Sequence, residues 1–344
     1  VAPEPDDLYD PTVGTIDAAQ ALDWAQRGEK AARDADERIV NSDGSTFTRV
    51  SGAFAMVLSG GFRGGYATSY ASLVVSPVAE DEGNKRRRGF HWSAARHFGD
   101  LESAEAVGKE ATRRTVRQLG AKKVPSCEAP VIFEPDAARA ILGMLGGCVL
   151  GSAIWKQQSY LAGRIDTPVA SELVNIVDDP FIKRAPGSRP FDGEGLPSRR
   201  NVVVEKGVLQ TYLCDSYSAR KLDRESTASA GRGGSGGVGP TTTNFVLQPT
   251  DTDPADIIAD TKRGLYVTHM MGFGFNAVTG DFSRGAFGFW IEDGKLTHPV
   301  SEVTISLNAD EIFKRIDAIG NDLDLRTATA APTFRVSSMT ISGS

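Results

Sequence analysis

The sequence predicts an α+β protein of two domains, and three observations support this fold class. The chain has 344 residues, which is enough for two hydrophobic cores of ordinary size. Its first part follows the order helix, antiparallel strands, helix, and from Ser171 onward most of the periodicity is that of β-strands. We therefore predict an N-terminal domain at 1–120 and a larger, strand-rich C-terminal domain at 121–344.

The N-terminal domain is predicted to begin with an extended segment and a long helix, which Thr15 caps. The strands Thr46–Leu58 and Gly65–Val75 follow, joined by a glycine-rich turn. A second helix, Glu102–Leu119, is capped by Asp100 and ends before a glycine. This order predicts an antiparallel sheet that is covered by helices.

The C-terminal domain is predicted to contain the most apolar helix of the chain, from Asp136 to about Trp155. Four glycines lie along this helix, and each lets another backbone approach at a cost of about 1 kcal/mol in helix propensity. Lys206-Gly207 forms a turn signature between two short strands. Further predicted elements are strands at Leu265–His269, Gly285–Glu292 and Val303–Leu307, and helices from Asp253 to Gly264 and over Ala309–Ile319.

Composition argues against two broad classes of function. The formal charge is −6, so the chain lacks the basic surface of a nucleic-acid binder, and direct DNA contact is not expected. The one dense basic run, Lys85–Arg88, is predicted to be a solvated turn or a contact for an acidic partner. No apolar stretch approaches the ~20 residues that span a bilayer, so no membrane partner is expected.

The cysteines indicate the compartment. Cys127, Cys148 and Cys214 are odd in number and widely spaced, which suits a reducing environment better than a disulfide scaffold. We therefore expect a cytoplasmic protein.

The segment Gly231–Gly239 matches two functional motifs by composition. Gly234, Gly236 and Gly239 fit the dinucleotide pattern G-x-G-x-x-G, and Ser235 lies in a G-x-S-x-G pattern typical of serine hydrolases. Both motifs require a strand before them and a helix after them, and neither flank has that character here. The segment is instead predicted to be a mobile loop, of the kind that often covers a binding site.

Strong metal ligands are scarce, with four histidines and three cysteines. No two histidines share the i, i+4 spacing that places two imidazoles on one zinc ion. The acidic pairs Asp178-Asp179 and Asp192-x-Glu194 are compatible with a Mg²⁺ site or an acid–base pair, but their Pro- and Gly-rich surroundings favour loop acids. The histidines are His91, His97, His269 and His298.

Several separated motifs, in the right order, resemble the TldD/PmbA family. They are Gly280–Gly294, Pro299–Ile305, Pro190–Gly195 with Arg199-Arg200, and Asp215–Leu222, whose DSYSARKL run resembles the PmbA (TldE) branch. The resemblance extends from about Asp17 to Ser344. The signature residues that carry it at the C-terminal end are Asp281, Ser283, Arg284, Glu292 and Glu302.

This resemblance implies a TldD–TldE peptidase pair that trims peptides and unfolded chains. The family is linked to peptide-antibiotic maturation and antitoxin turnover, and it also carries the label "modulator of DNA gyrase". Family members have further strands and helices before the segment matched here, so the N-terminal domain is expected to be incomplete.

The resemblance also implies where a metal would be held. In the TldD branch a His-Glu-x-x-x-His helix and a Cys near the C-terminus hold the metal. The two histidine positions correspond here to Gly143 and Cys148, the glutamate to Met144, and the tail at 323–344 has no cysteine. A hydrolytic zinc site needs about three ligands and a general base. We therefore expect no catalytic residue and no metal in this chain, with zinc in a TldD-like partner.

The expected partners are a TldD-like metallopeptidase subunit and an extended peptide or unfolded chain. Strand-rich walls bind extended peptides by β-augmentation, and the candidate wall residues are Arg232, Thr241 and Asn244. Two alternatives remain open. One is a homodimeric peptide-binding protein without peptidase activity, and the other is a metallopeptidase with unconventional ligands drawn from the histidines and acids.

Overall fold

The structure is a computed structural model that describes residues 7–233 and 236–343. The chain divides into two compact units. The N-terminal unit contains residues 7–121 and 183–186, and the C-terminal unit contains 122–182 and 187–343. Helices and strands are present in both units, which confirms the predicted α+β fold class.

The N-terminal unit contains a four-stranded antiparallel sheet. Its strands follow the order β1-β2-β3, and β4 also pairs with β2. The elements are α1 (Pro11–Thr15), α2 (Ala18–Asp34), β1 (Ile39–Val57), β2 (Arg63–Asp81), β3 (Lys85–Arg88), β4 (His91–Ala95) and α3 (Ala104–Val116).

Both predicted helix caps in this unit are wrong by a few residues. Thr15 ends the short helix α1, and α2 begins after Asp17, whose side chain accepts from the amide of Gln20 while the Gln20 side chain accepts from the Asp17 amide. This reciprocal capping box satisfies two unpaired amides and outcompetes a lone threonine. Likewise, Ser103 rather than Asp100 caps α3.

The basic run is not a turn, because Lys85–Arg88 forms the strand β3. Arg87 pairs with Asp81 at 2.7 Å, with both side chains largely buried, and Arg88 pairs with Asp43. Two of the four charges are therefore neutralised within the chain.

The helices α2 and α3 pack closely against each other and against β2. A side chain on Gly108 would place its Cβ 2.3 Å from the carbonyl oxygen of Gly28, so both helices depend on glycine at their contact. Leu73, Val107 and Ala111 are fully buried in this core.

The C-terminal unit contains three sheets. The largest has the order β14-β13-β12-β5-β17-β15, the second has the order β16-β11-β6-β7-β8, and β9 and β10 form a separate hairpin. The elements are β5 (Cys127–Phe133), α4 (Pro135–Cys148), α5 (Gly151–Trp155), β6 (Ile176–Asp178), β7 (Asn201–Glu205), β8 (Val208–Leu209), α6 (Ser216–Lys221), β9 (Ala230–Arg232), β10 (Val238–Pro240), β11 (Phe245–Leu247), α7 (Pro254–Ala259), β12 (Arg263–Met271), β13 (Asp281–Glu292), β14 (Lys295–Asn308), α8 (Ala309–Lys314), β15 (Ile316–Ile319), β16 (Thr329–Ala330) and β17 (Phe334–Ser342).

Five strands of the largest sheet close on themselves. The strands β14, β13, β12, β5 and β17 are successive neighbours, and β17 also pairs with β14 through Thr304–Ser306 and Thr340–Ser342. Closure leaves these strands without an open edge at that seam.

Three predicted helices are shorter than expected. The helix expected from Asp253 to Gly264 ends at Ala259, and Arg263 already belongs to strand β12. The apolar helix divides into α4 and α5, because Leu150 is extended and its neighbour Gly151 lies tightly against Ser218 and Cys214. The last predicted helix ends at Lys314, and the remainder forms β15, which pairs with β17. In all three cases tertiary contacts override the predicted continuation of the helix.

Two glycine-to-alanine substitutions on different helices are expected to differ in their effect on stability. Gly108→Ala should lower the free energy of unfolding by about 1–3 kcal/mol, because the new methyl group collides with backbone of α2. Gly147→Ala should leave it unchanged or raise it by up to about 1 kcal/mol, because nothing lies within 4 Å of the added Cβ. Denaturant unfolding of both variants checks the difference, and equal effects would contradict the close helix contact.

Candidate functional site

The helix α4 buries apolar residues on one face and exposes two glycines on another. Ile141, Leu142 and Leu145 are buried in the core of the C-terminal unit. Gly143 and Gly147, one turn apart, are both exposed. The positions that the family resemblance assigns to a metal motif therefore lie on and beside an open strip of main chain.

The residues at the other two motif positions are turned inward. Met144 is half-buried against the hydrophobic core, and Cys148 is fully buried. Burial raises the pKa of the Cys148 thiol to about 11, which outweighs the opposing effect of Ser159. The Cys148 thiol is therefore enclosed in the hydrophobic core and does not reach the exposed face of α4.

The tail of the chain lies beside the same helix. Strand β16 pairs in parallel with β11, with Thr329 opposite Phe245. This pairing places Thr329 Cγ2 4.0 Å from the position of a Cβ on Gly143. The resemblance assigns the metal site to α4 and to the tail of the chain. These two segments are thus adjacent, but the residues that they place there are Gly, Met, Thr and Ala.

The residues at the positions of the metal motif therefore do not provide the ligands of a zinc ion. Across residues 7–233 and 236–343, no three His, Cys, Asp or Glu side chains are grouped closely enough to hold a metal. Zinc in proteins is held by three or four nitrogen, sulfur or carboxylate ligands. We derive no chemical step through a metal bound by these residues.

The four histidines do not come together. In the N-terminal unit, His91 Nε2 lies 3.1 Å from Glu102 Oε1, and His97 Nε2 lies 3.1 Å from Asp7 Oδ1. In the C-terminal unit, His298 Nδ1 lies 3.2 Å from Thr297 Oγ1. Partial burial and the charge of Arg284 lower the pKa of His269. No shared histidine site exists in the described part of either unit.

The glycine-rich segment is a hairpin in its described part, where the sequence predicted a loop. Ala230–Arg232 pairs antiparallel with Val238–Pro240. Gly234 and Ser235, which belong to the two predicted motif matches, lie outside the described residues.

The base of this hairpin is fixed by the signature loop at 190–195. The buried carboxylate of Asp192 accepts from the amides of Glu194 and Leu196, both at 2.9 Å, and from the Ala230 amide at 3.1 Å. Arg232 Nε donates to the carbonyl of Gly193 at 2.9 Å. Burial raises the pKa of Asp192 although the three amides oppose this. The acidic pair is therefore a backbone anchor, as its loop composition indicated.

The second signature motif joins the same assembly. Glu194 Oε2 accepts from the amide of Ser216 at 2.8 Å, and Asp215 Oδ1 accepts from the amide of Ser218 at 2.8 Å. Both carboxylates thus satisfy amides in the first turn of α6. Sequence reasoning recognised these motifs separately, and no spacing in the chain indicated that they meet.

The three candidate groove residues have different surroundings. Arg232 is exposed on the hairpin, and Thr241 is half-buried with its methyl group against Gly231. Asn244 is buried: its Oδ1 accepts from the Gly187 amide at 2.8 Å, and its Nδ2 donates to Asp179 and Ser188. Arg232 and Thr241 therefore lie on an accessible surface, whereas the Asn244 amide is engaged within the chain.

The other acidic pair, Asp178-Asp179, contacts the segment that contains Thr243 and Asn244. Asp178 is 1% exposed and accepts from the Thr243 amide at 2.6 Å. Burial raises its pKa to about 6, against the opposing effects of Thr243 and Arg189. Asp179 accepts from the Phe181 amide and pairs with Arg200 at 3.2 Å. Both carboxylates thus stabilise the loops that they contact.

The C-terminal signature residues are spread along β13 and β14. Asp281 accepts from Thr279 Oγ1 at 2.6 Å and, with Ser283, lines an open cavity of about 620 Å³. Glu302 has a φ of +57° and pairs with Lys123 at 3.5 Å. The remaining signature residues are the half-buried Arg284 and the exposed Glu292. Two of the five signature residues thus line a cavity, and the five do not form a single cluster.

Family models match both parts of the chain and define its class, a metallopeptidase family with a central and a C-terminal domain. The family model described as PmbA/TldA metallopeptidase central domain matches residues 11–119, and the corresponding C-terminal domain matches 126–343. The chain belongs to the PmbA/TldD metallopeptidase family, as its signature motifs predicted.

Individual relatives agree with this placement. The Metalloprotease PmbA of Escherichia coli O157:H7 is 33% identical over 337 residues, which are 98% of this chain and 72% of that protein. A crystal structure named as a modulator of DNA gyrase from Bacteroides thetaiotaomicron has a TM-score of 0.91 and 29% identity, covering 99% of this chain and 76% of that one. TldE from Thermococcus kodakarensis, at 23% identity, shares the fold with a TM-score of 0.88, covering 100% of this chain and 79% of that one.

The thiols give a direct test of the geometry around α4. We expect a thiol reagent at pH 8 to modify one cysteine rapidly in the native chain, because Cys127 is half-buried while Cys148 and Cys214 are 0% and 1% exposed. All three should react after unfolding. Rapid modification of Cys148, identified by mass spectrometry of peptides, would contradict its burial and its raised pKa.

The anchor at Asp192 is expected to control the hairpin. In Asp192→Asn the amide nitrogen can face the Ala230 amide, and two donors then oppose each other. Hydrogen exchange in peptides covering 226–233 should accelerate about tenfold, which corresponds to about 1.4 kcal/mol. The exposed Asp223→Asn is the matched control, and equal exchange in both variants would remove Asp192 from this role.

Proposed function

We propose that this chain is the TldE-like, non-catalytic subunit of a TldD–TldE-type metalloprotease acting on peptides or unfolded chains. The observation that carries the proposal is the outward face of α4, where Gly143 and Gly147 present main chain and no ligand. With Met144 and Cys148 turned inward, the helix supplies neither a metal site nor a general base.

The proposed partner is a TldD-like metallopeptidase subunit that holds the zinc. The TldD-branch relatives and the TldE neighbour support a system of two related chains, because both match this chain over most of its length. Division of labour then explains how α4 keeps its packing while lacking metal ligands.

The proposed role of this chain is to present a wall for an extended substrate. The β9–β10 hairpin and the segment that follows it offer Arg232 and Thr241 at an accessible surface, and Thr242 Cγ2 would lie 3.7 Å from a Cβ on Gly146. Strand backbone beside the exposed glycines of α4 suits an extended peptide. Such a peptide is recognised through its main chain, with little sequence specificity.

We also place the protein in the cytoplasm. All three cysteines are free, which suits a reducing compartment. Among the helices of the described residues, none combines the length and apolar character needed to cross a bilayer.

The test is metal content and casein cleavage, measured for this chain alone, for a TldD-like chain from the same source alone, and for both together. We expect less than 0.1 zinc per chain for this protein and at least tenfold faster cleavage by the mixture than by either chain. A TldD-like variant lacking the motif glutamate is the control for partner-dependent chemistry. Stoichiometric zinc on this chain, or full cleavage by the TldD-like chain alone, would overturn the proposal.

A further inference from the structure

Two aromatic side chains meet where the short helices α5 and α6 lie side by side. The rings of Trp155 and Tyr217 lie edge to face, with their centroids 5.9 Å apart and their planes at 73°. Trp155 is half-buried, whereas Tyr217 is 50% exposed. Neither ring belongs to the hydrophobic core of the C-terminal unit, so the pair is a feature of its surface.

Two lysines lie over these rings. Lys221 Nζ is 5.7 Å from the centroid of Trp155 and 5.5 Å from the centroid of Tyr217, which precedes it by one turn of α6. Lys156 Nζ is 5.3 Å from the Trp155 centroid. Each ammonium group is thus within the ~6 Å at which a ring face attracts a cation. The four residues form an aromatic–lysine cluster in which the rings position two otherwise flexible side chains.

The charge of the two lysines is not neutralised within the described part of the chain. Both residues are exposed, and the side chain of neither forms a hydrogen bond or an ion pair with a described residue. Asp215 and Glu194 contact α6, but each accepts from an amide of its first turn. In a protein with a formal charge of −6, two positioned cations without a carboxylate partner favour binding of an anion.

The cluster lies beside the hairpin to which the proposed function assigns the substrate. Helix α5 packs against β10, the second strand of that hairpin. Its place is fixed from the side of α6, because the Gly151 amide donates to the Leu213 carbonyl at 2.8 Å and Gly151 lies tightly against Ser218. A peptide that extends along the hairpin is thus brought near both lysines.

We propose that Lys156 and Lys221, positioned by Trp155 and Tyr217, bind carboxylate side chains of an extended peptide, so that this chain selects acidic segments. The inference rests on the proposed function, since it names the class of peptide that the wall takes. Side chains on one face of an extended strand are about 7 Å apart, because each residue advances the chain by about 3.3 Å. Acidic residues at alternate positions therefore present two carboxylates to the two lysines.

A peptide fits this cluster better than a nucleic acid does. Proteins that bind single strands use free aromatic faces, on which bases stack, and a groove of cations that follows the phosphates. Here ammonium groups already lie over both rings. The exposed acids Asp223 and Glu225 follow Lys221 closely in the chain, and a continuous run of phosphates would be repelled by them.

The test is the binding of two fluorescently labelled peptides of about twelve residues to this chain alone, measured by anisotropy. One peptide carries Glu at alternate positions, and the other carries Gln at the same positions. At ~50 mM salt we expect the Glu peptide to bind at least about tenfold more tightly. At ~0.5 M salt the difference should fall below about threefold, because salt screens exposed charges.

Substitution of both lysines gives the decisive variants. Lys156→Gln with Lys221→Gln should remove the preference and leave the affinity for the Gln peptide unchanged, whereas Lys156→Arg with Lys221→Arg keeps both charges and should retain the preference. The matched control is Lys262→Gln with Lys295→Gln, which removes the same charge elsewhere in the C-terminal unit and should not affect the preference. Since all four lysines are exposed, the unfolding midpoints should stay the same.

Three results would overturn the proposal. They are equal affinity for the two peptides, no binding of the Glu peptide at about 100 μM chain, and a preference that survives the loss of both lysines. Tighter binding of a single-stranded oligonucleotide of about twelve nucleotides, lost in the lysine-to-glutamine variant, would also overturn it and assign the cluster to nucleic acid. Because the readout is binding by this chain alone, the zinc and cleavage test still decides the non-catalytic role separately.

Discussion

The burial of the apolar face of α4 is the constraint on which the candidate site depends. Ile141, Leu142 and Leu145 are buried, and each contributes about 1.5–3 kcal/mol through removal from water. The helix therefore cannot rotate about its axis without exposing them. Whatever stands at Gly143 and Gly147 must face outward, and the fold does not depend on those side chains. A helix of this kind can lose metal ligands without any change in its packing.

The second organising feature is the junction of three motifs that are distant in sequence. Asp192 fixes Ala230, Glu194 fixes the start of α6, and Arg232 returns to Gly193. Nearly all of these bonds join a side chain to backbone, so they specify the path of the main chain. The motif residues consequently define the shape of the hairpin base, and the hairpin can present its outer surface to a substrate.

The sequence predicted the classes of element well and their ends less well. The apolar pattern of α4 and the strands β12 to β14 were visible because burial imposes a strict period. The split of α4 from α5 was not, since it results from contact of Gly151 with α6, which is remote in the chain. At the site, the absence of ligands at Gly143 and Met144 was readable only through the family resemblance, which assigns these positions to the metal motif. The engagement of Asn244 by Gly187, Asp179 and Ser188 was not, because no local pattern records long-range partners.

The pairing of β17 has a mechanical consequence. One side of this strand is bonded to β5 along its length, and the other side is bonded to β15 near Phe334 and to β14 near Thr340. A pull on the chain at Ser342 must therefore shear two ladders at the same time instead of unzipping one. A machine that unravels the protein by traction from this end would therefore load both ladders at the first strand it meets.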